Sequence, residues 1–231
     1  MGPYLRIRGG SGIGDNLYTS AIVRKLHKEV PLEVCTSYQD LYPYPVKFSE
    51  FSRQNITYLT HYGRRRRDRT NQWEDVQIIS GVKAELKLDW TLKNEKWKSL
   101  VPFVFINGGR VPMDRKDGVG RDLLPLREGF IKELEKINLK KVYVGGPRKY
   151  DFPIDVDLQG KTSVSDLVDL AFLSEMGFGQ VGFIVPLFES LDKKLTCVWS
   201  RKGLTSDCWV TRTITPSKIL TKPTSKAVFD C

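Results

Sequence analysis

The chain has 231 residues, 40% of them hydrophobic, and carries a formal net charge of +10. No apolar run approaches the roughly 18 residues of a membrane span, and the first residues lack the apolar core of a secretion signal, so we expect a cytoplasmic protein without stable membrane association. The length allows one large domain or two small ones, and the positive charge favours an anionic partner such as a nucleotide, a nucleic acid or a phosphorylated glycan.

Cysteine and histidine are too few and too scattered to indicate a metal site. The four cysteines, Cys35, Cys197, Cys208 and Cys231, form no C-x-x-C pair, and the chain has two histidines. Neither a zinc-ligand spacing nor a serine–histidine nucleophile is indicated. We therefore predict no metal and no cofactor, and we expect carboxylates to carry any acid–base chemistry.

The first hundred residues open with a predicted strand, a glycine-rich loop and a predicted helix. Alternating apolar residues in "YLRIR" predict the strand, and "LYTSAIVRKLHKEV" predicts a helix with Leu17, Ile22 and Leu26 along one side. Further strands are predicted at "LEVCTS" and "ITYLTHY", and "DRTNQWEDVQIISGV" predicts a loop that leads into a helix. This order is typical of the start of an α/β layer.

From residue 101 the pattern restarts and predicts a mostly parallel sheet with helices on both faces. Strands are predicted at "VPFVFINGG", "KKVYVGG", "GFGQVG" and "KLTCVWS", with one further short strand between the second and third. The helices between them are "LREGFIKELEKI", "SVSDLVDLAFLSEM" and "FIVPLFESLD". We therefore predict an α/β protein with domains 1–100 and 101–231, and ligands at the carboxyl ends of the strands.

The loop "GGSGIGDN" ends in an acidic residue, which phosphate-binding glycine loops do not have at that place. Asp15 and Asn16 stand where a P-loop has its lysine and hydroxyl. A dinucleotide fingerprint that began at Gly10 would need glycine at position 15. Asp15 therefore either caps the following helix by accepting a backbone N–H or carries chemistry of its own.

The string "GIGDNLYTSAIVRKLHKE" resembles the N-terminal signature of the heptosyltransferase-like glycosyltransferases, the ADP-heptose:lipopolysaccharide family. The block from Gly160 to Leu191 resembles the C-terminal region of the same family. The resemblance implies the GT-B fold, in which two small Rossmann-like domains with parallel sheets face each other across a cleft, here with a reduced N-terminal domain. It further implies inverting transfer of a sugar from a nucleotide-diphosphate sugar, with Asp15 as general base, the acceptor on residues 1–100 and the donor on residues 101–231.

The same resemblance gives candidate binding residues. The donor-binding candidates are Asn107, Gly108, Gly109, Lys116, Arg121, Gly145, Gly146, Lys161, Thr162, Gln180 and Gly182. The acceptor-binding candidates are Gly12, Gly14 and Asn16 of the glycine loop. To these the local positive charge adds Arg64, Arg65, Arg66 and Arg67, which lie in the half expected to hold the acceptor. One turn departs from the family, because Val181-Gly182-Phe183 and Pro186 replace its acidic residue and its histidine. We therefore expect a donor sugar other than heptose.

The acceptor stays open between two classes, and a rival function stays open beside them. The arginine run could follow a phosphodiester backbone, bind a phosphorylated glycolipid or be a solvated loop. The acceptor could thus be a surface glycan such as lipopolysaccharide, or a hydroxylated base in DNA of the kind that some bacteriophage transferases modify in the host cytoplasm. The rival is a catalytically inactive nucleotide-sugar fold that binds nucleic acid; the altered turn favours it, whereas Asp15 and the glycine loops argue against it.

Overall fold

The computed structural model describes residues 4–10, 12–49, 57–58, 72–108, 127–148, 151–180 and 182–198. The strands in these ranges are β1 (Leu5–Arg8), β2 (Leu32–Cys35), β3 (Lys47–Ser49), β4 (Thr57–Tyr58), β5 (Phe103–Asn107), β6 (Lys140–Gly145), β7 (Val156–Gln159), β8 (Met176–Gln180) and β9 (Leu195–Val198). The helices are α1 (Ile13–Leu26), α2 (Gln72–Ser80), α3 (Arg127–Glu135), α4 (Val164–Leu173) and α5 (Ile184–Ser190), with short 3-10 helices at Gln39–Leu41 and Glu95–Leu100.

Two separate sheets organise these elements, and every strand pairing described in them is parallel. The first sheet has the order β3-β2-β1-β4, and the second has the order β7-β6-β5-β8-β9. In the central strand β5 all five residues are buried, as expected for a strand covered by helices on both faces. The predicted α/β class with two parallel sheets is confirmed.

Helix α1 differs from its prediction. The spacing of Leu17, Ile22 and Leu26 predicts a helix with one apolar side, but α1 begins four residues earlier, at Ile13, and every residue from Asp15 to Val23 is buried. The helix packs against both α2 and α5, so its polar residues are covered as well as its apolar ones. Polar groups buried in this way need partners inside the protein.

One hydrophobic cluster joins the two sheets. It contains Ile7 and Val34 of the first sheet together with Phe105 and Val142 of the second, and residues of both α1 and α5. A second, smaller cluster around Val104, Tyr143 and Phe178 covers the other face of the second sheet. The sheets are therefore held by shared apolar packing along α1 and α5.

The segment after α2 is bonded to the helices of the second sheet. The backbone N–H of Leu88 donates to the carbonyl of Ser190 at 2.8 Å. The fully buried carboxylate of Asp169 accepts the indole N–H of Trp90 at 2.7 Å and the backbone N–H groups of Lys93 and Asn94 at 3.0 and 2.8 Å. Residues 88–94 therefore dock on α4 and α5, ahead of the predicted domain boundary at residue 100.

A hydrogen bond joins α4 to the 3-10 helix Gln39–Leu41, which connects β2 and β3 of the first sheet. Asp40 accepts the hydroxyl of Ser165 at 2.6 Å and the ammonium of Lys93 at 3.3 Å. The Ser165 hydrogen bond, followed by the charge of Lys93, outweighs the effect of partial burial and lowers the pKa of Asp40. In the part of the chain that the structure describes, no helix is long and apolar enough to cross a membrane.

Candidate active site

The first turn of α1, which follows β1, contacts the start of α5, which follows β8. A Cβ atom added to Gly14 would lie 3.3 Å from the Cα atom of Phe183 and 3.4 Å from the Cγ atom of Pro186. The predicted acceptor loop and the predicted donor turn are therefore in contact. Crevices outside the carboxyl ends of parallel strands are where open α/β folds bind ligands.

Asp15 lies in the first turn of α1, directly beside this contact. It is the third helical residue, and its carboxylate accepts the backbone N–H of the N-cap residue Gly12 at 3.3 Å. The residue is 2% exposed, and a Cβ atom on Gly10 would overlap its carboxylate. The capping interpretation is thus confirmed geometrically, and the neighbouring residue Gly14 makes the contact with Phe183 and Pro186.

Asn16 bridges the glycine loop to the end of the first sheet. Its amide nitrogen donates to the carbonyls of Gly10 at 2.9 Å and Gly12 at 2.8 Å. Its amide oxygen accepts the hydroxyl of Thr36 at 2.7 Å and the phenol of Tyr42 at 2.9 Å. The side chain is fully buried, so its predicted contact with an acceptor stays a prediction, and what the structure describes is a residue that holds the loop.

The phenol of Tyr42 is held in its protonated form. Burial raises its pKa, and the negative charge of Asp15 raises it further, against the opposing effect of hydrogen bonds with Thr19 and Thr36. A protonated phenol can donate to the amide oxygen of Asn16 throughout the neutral range. This fixes which atom of Asn16 faces the loop.

A cavity of about 480 Å³ opens at the carboxyl ends of β1, β2 and β3. Its lining combines one cation, two aromatic rings, several hydroxyl and amide groups and the free thiol of Cys35, with no carboxylate: Arg8, Gly9, Gly10, Cys35, Thr36, Ser37, Tyr38, Gln39, Phe48 and Ser49. Gly10 borders both this cavity and the carboxylate of Asp15. Sequence reasoning missed the residues from β2 and β3. Cys35, Thr36 and Ser37 end the predicted strand "LEVCTS", which is the signal that could have found them. No strand is predicted over β3, because the prolines of "DLYPYPVKF" favour an irregular segment; the strand at Lys47–Ser49 corrects this.

The carboxyl edge of the second sheet is ordered by Asn107 and Tyr143. The amide of Asn107 donates to the carbonyl of Val144 at 2.9 Å, which joins the ends of β5 and β6. The phenol of Tyr143 donates to the carbonyl of Gly146 at 2.6 Å and lies 3.3 Å from that of Gly108. Gly145 has a φ of 123°, a backbone conformation that favours glycine.

Arg148 lies beside these glycines, in the motif "GGPRK" that is predicted to flank the ribose of the donor, although Arg148 was not singled out within it. Its guanidinium stands over the rings of Tyr143 and Phe152, 5.0 and 5.5 Å from their centroids, and pairs with Asp157 at 2.9 Å. The motif "GGPRK" at the end of a predicted strand was the signal that could have found it.

The remaining donor candidates fall on two segments. The ammonium of Lys161 donates to the carbonyl of Asp157 at 3.3 Å, and Thr162 precedes the N-cap residue of α4. Gly182 lies in the turn before α5, and Gln180 ends β8. Gly109, Lys116, Arg121 and Arg64 to Arg67 lie outside the described residues, as does the side chain of Gln180. Their assigned roles stay predictions.

No metal cluster is found among the described residues: nowhere do three His, Cys, Asp or Glu side chains come close enough to hold an ion. The Asp-x-Asp pair on β7 and just before it is engaged elsewhere. Asp155 accepts the backbone N–H of Lys141 at 2.6 Å, and Asp157 pairs with Arg148.

No protein-family model and no curated protein sequence matches the chain. Solved structures do match its fold. The iron-containing dodecameric glycosyltransferase TibC from enterotoxigenic E. coli H10407 is 17% identical with a TM-score of 0.60, over 85% of this chain and 57% of that one. E. coli heptosyltransferase WaaC with ADP is 10% identical with a TM-score of 0.56, over 99% and 96% of the two chains.

E. coli ADP-heptose lipopolysaccharide heptosyltransferase II is 12% identical with a TM-score of 0.53, over 99% and 97%. The chain thus spans a little over half the length of TibC. At these identities the likeness concerns the fold. The chain therefore has the heptosyltransferase-like GT-B fold, as its N-terminal and C-terminal motifs predict.

Proposed function

We propose that the protein is an inverting glycosyltransferase that moves a sugar from a nucleotide-diphosphate sugar to an acceptor hydroxyl, with Asp15 as general base. The observation that carries the proposal is the place of Asp15: a buried carboxylate in the first turn of α1, next to Gly14, which contacts the start of α5 in the second half of the chain. The fold around it is shared with nucleotide-sugar-dependent transferases, one of them solved with ADP-heptose.

The reaction has three requirements. Asp15 accepts the proton of the acceptor hydroxyl as its oxygen forms a bond to the anomeric carbon of the donor, and the bond from that carbon to the diphosphate breaks on the opposite side. The sugar must be held in line. The leaving diphosphate must be stabilised, and for this we propose the backbone N–H groups at the end of β5 together with Lys116 and Arg121.

The cavity at the ends of β1, β2 and β3 is the proposed acceptor site. Gly10 lines this cavity and also lies against the carboxylate of Asp15. A hydroxyl bound at that wall would therefore be separated from the proposed base by Gly10 alone. Arg8 is the cation of its lining, and the lining residues include no Asp or Glu. An anionic acceptor fits this lining better than a neutral one.

For the acceptor itself we propose a hydroxylated base in DNA, with a surface glycan as the alternative. The support is the net charge of +10 and the position of the arginine run, which begins six residues after the carboxyl end of β4, the neighbour of β1. A base in a duplex would have to be flipped out of the stack to reach the cavity.

The test is release of nucleoside diphosphate from a panel of UDP-, ADP-, GDP- and CDP-sugars, with hydroxymethylated DNA, with lipopolysaccharide and with neither. We expect release from one donor, stimulated by DNA and lost in Asp15→Asn. Stimulation by lipopolysaccharide alone would overturn the DNA acceptor and keep the enzyme. No release from any donor, with salt-sensitive DNA binding by the wild type, would favour the inactive nucleic-acid-binding fold.

A further inference from the structure

We infer that Asn16 is a positioning residue for Asp15: it fixes the shape of the glycine loop against which the Asp15 carboxylate lies. The inference rests on the proposed function, in which Asp15 is the base, and it gives Asn16 a role other than acceptor binding. The hydrogen bonds of the Asn16 amide are all made within the protein, so we assign it no direct contact with the reacting groups.

The hydrogen bonds of Asn16 divide into two sides with different tasks. On the nitrogen side, two donors take the carbonyls of Gly10 and Gly12, the residues that flank position 11. On the oxygen side, the hydroxyls of Thr36 and Tyr42 hold the amide from the end of β2 and from the 3-10 helix that follows. An asparagine amide has two donors and an acceptor oxygen with two lone pairs, so this set uses its full capacity.

The loop that Asn16 holds is the surface on which the Asp15 carboxylate rests. The backbone N–H of Gly12 donates to Asp15, while the carbonyl of the same residue accepts from Asn16. Gly10 touches the Asp15 carboxylate on one side and bonds to Asn16 through its carbonyl. A Cβ atom on Gly9 would come 2.6 Å from the amide oxygen of Asn16, so the loop is fitted closely to this side chain.

These two contacts between Asp15 and the loop are therefore made by residues that Asn16 holds. If Asn16 lost its two N–H donors, Gly10 and Gly12 would lose their fixed positions, and the N–H of Gly12 would no longer be presented to Asp15. Catalytic geometry tolerates displacements of only a fraction of an ångström, so a base released in this way loses rate more than it loses substrate binding.

The experiment compares Asn16→Asp with Asn138→Asp, since Asn138 is an exposed asparagine and the change in charge is the same. The new carboxylate at position 16 keeps the acceptor side and replaces both donors by lone pairs facing two carbonyls. Two readouts are taken: kcat and donor KM for nucleoside diphosphate release, and the NMR shift of the Gly12 amide as pH is varied. That amide bonds to Asp15, so its shift follows the protonation of the carboxylate and needs no turnover.

In the wild type we expect the Gly12 resonance to move with pH, and we expect this movement to be absent in Asp15→Asn. In Asn16→Asp the movement is lost and kcat falls about ten- to hundredfold, with donor KM within about twofold. Asn138→Asp leaves both readouts unchanged. A folded Asn16→Asp protein with a normal Gly12 titration and normal kcat would overturn the inference.

Asn16→Asp could also fail to fold, so Tyr42→Phe and Thr36→Val provide the second route. Each removes one hydroxyl from the oxygen side and leaves Asn16 in place. We expect a smaller fall in kcat in each, about three- to tenfold, and a weakened Gly12 titration. An unchanged result in both would overturn the inference. A wild type that releases nothing from any donor refutes the proposed function, and the Gly12 titration then tests the positioning role alone.

Discussion

Helices α1 and α4 begin in the same way but use the same residue type differently. Each has an aspartate three residues after its N-cap, and each aspartate accepts the backbone N–H of that cap residue: Asp15 from Gly12 at 3.3 Å, Asp166 from Ser163 at 3.0 Å. The difference is the cap itself. Ser163 adds a hydroxyl that donates to Asp166 at 2.8 Å and accepts its N–H at 3.1 Å, whereas glycine offers none.

The surroundings extend this difference. Asp166 also accepts the indole N–H of Trp97 at 2.8 Å and the amide of Asn94 at 3.1 Å. Burial alone would raise its pKa, but these donors and those of Ser163 together lower the pKa of Asp166 to about 2. Because its pKa is low, the Asp166 carboxylate is a poor base, and its hydrogen bonds instead hold residues 94–97 against α4. The glycine cap of α1 adds no hydroxyl to the surroundings of Asp15, in keeping with the proposed role of this carboxylate as a base.

The largest expected effect comes from changing both aspartates to asparagine. Asp15→Asn should lower kcat by about 10²- to 10⁴-fold, the contribution of a positioned general base. Asp166→Asn should lower kcat by less than about threefold, because it removes hydrogen bonds that hold residues 94–97 rather than a base. Steady-state release of nucleoside diphosphate measures both. Equal losses of kcat in the two variants would remove the distinction between them.

The second effect is on stability, and here the substitution of Asp166 should have a larger effect than that of Asp15. Asp166→Ala should lower the free energy of unfolding by about 2 kcal/mol. The indole N–H of Trp97 and the side-chain amide of Asn94 would lose their acceptor, and the helix would lose its cap. Urea denaturation followed by tryptophan fluorescence measures this. Asp15→Ala is the matched control: it removes a carboxylate that accepts the same N-cap N–H, but not the one that accepts the N–H donors of Asn94 and Trp97, and it should cost about 1 kcal/mol. The same loss in both would contradict the comparison.

The low pKa of Asp166 gives a pH dependence of known sign. A carboxyl group whose pKa is lower in the folded than in the unfolded state stabilises the fold above its ordinary pKa of 3.8, and this contribution is lost as pH falls toward 2. The melting temperature of the wild type should therefore fall between pH 4 and pH 2 more steeply than that of Asp166→Asn. Parallel curves for the two proteins would show that folding does not lower the pKa of Asp166.

The sequence predicts the strands well and the partners of the buried polar groups poorly. Apolar runs that end in glycine turns locate β5 and β6 to within two residues, because burial and turn chemistry are local properties. The partners of Asn16 lie 20 and 26 residues away, and their meeting depends on the register that places Arg8 opposite Cys35. Such register is set by packing of the whole sheet.

The hydrogen bonds that α4 makes to the segment before β5 could not be predicted from the sequence for a similar reason. Asp166 and Asp169 bond to Trp97 and Trp90, which precede them by 69 and 79 residues. Apolar and polar residues alternate over 82–92 of the segment between α2 and β5, but this pattern does not indicate which element the segment packs against. Its place beside α4 is set by side-chain acceptors on that helix. A sequence pattern indicates that Asp15 and Asp166 are helix-cap residues. It does not indicate what else each of them contacts.

The smallest expected effect exchanges the two caps. Gly12→Ser places on α1 the hydroxyl that α4 has, next to a carboxylate that a Cβ atom at this position would approach to 3.2 Å. Serine is the better N-cap residue by a few tenths of a kcal/mol, so the variant should be slightly more stable, and the backbone at Gly12 is extended, which serine adopts readily.

The gain in stability should be accompanied by a loss of activity. The new hydroxyl donates to Asp15 as Ser163 does to Asp166, and a hydrogen bond to a charged group is worth at least about 1.5 kcal/mol, so kcat should fall about tenfold. Ser163→Gly should lose a few tenths of a kcal/mol and keep its kcat. Melting temperature and kcat measured on the two reciprocal variants show whether activity requires an N-cap without a hydroxyl on α1 and whether stability requires one with a hydroxyl on α4. If Gly12→Ser kept full activity, the absence of a hydroxyl at the first cap would have no chemical purpose, and Asp15 would be a helix cap of the same kind as Asp166.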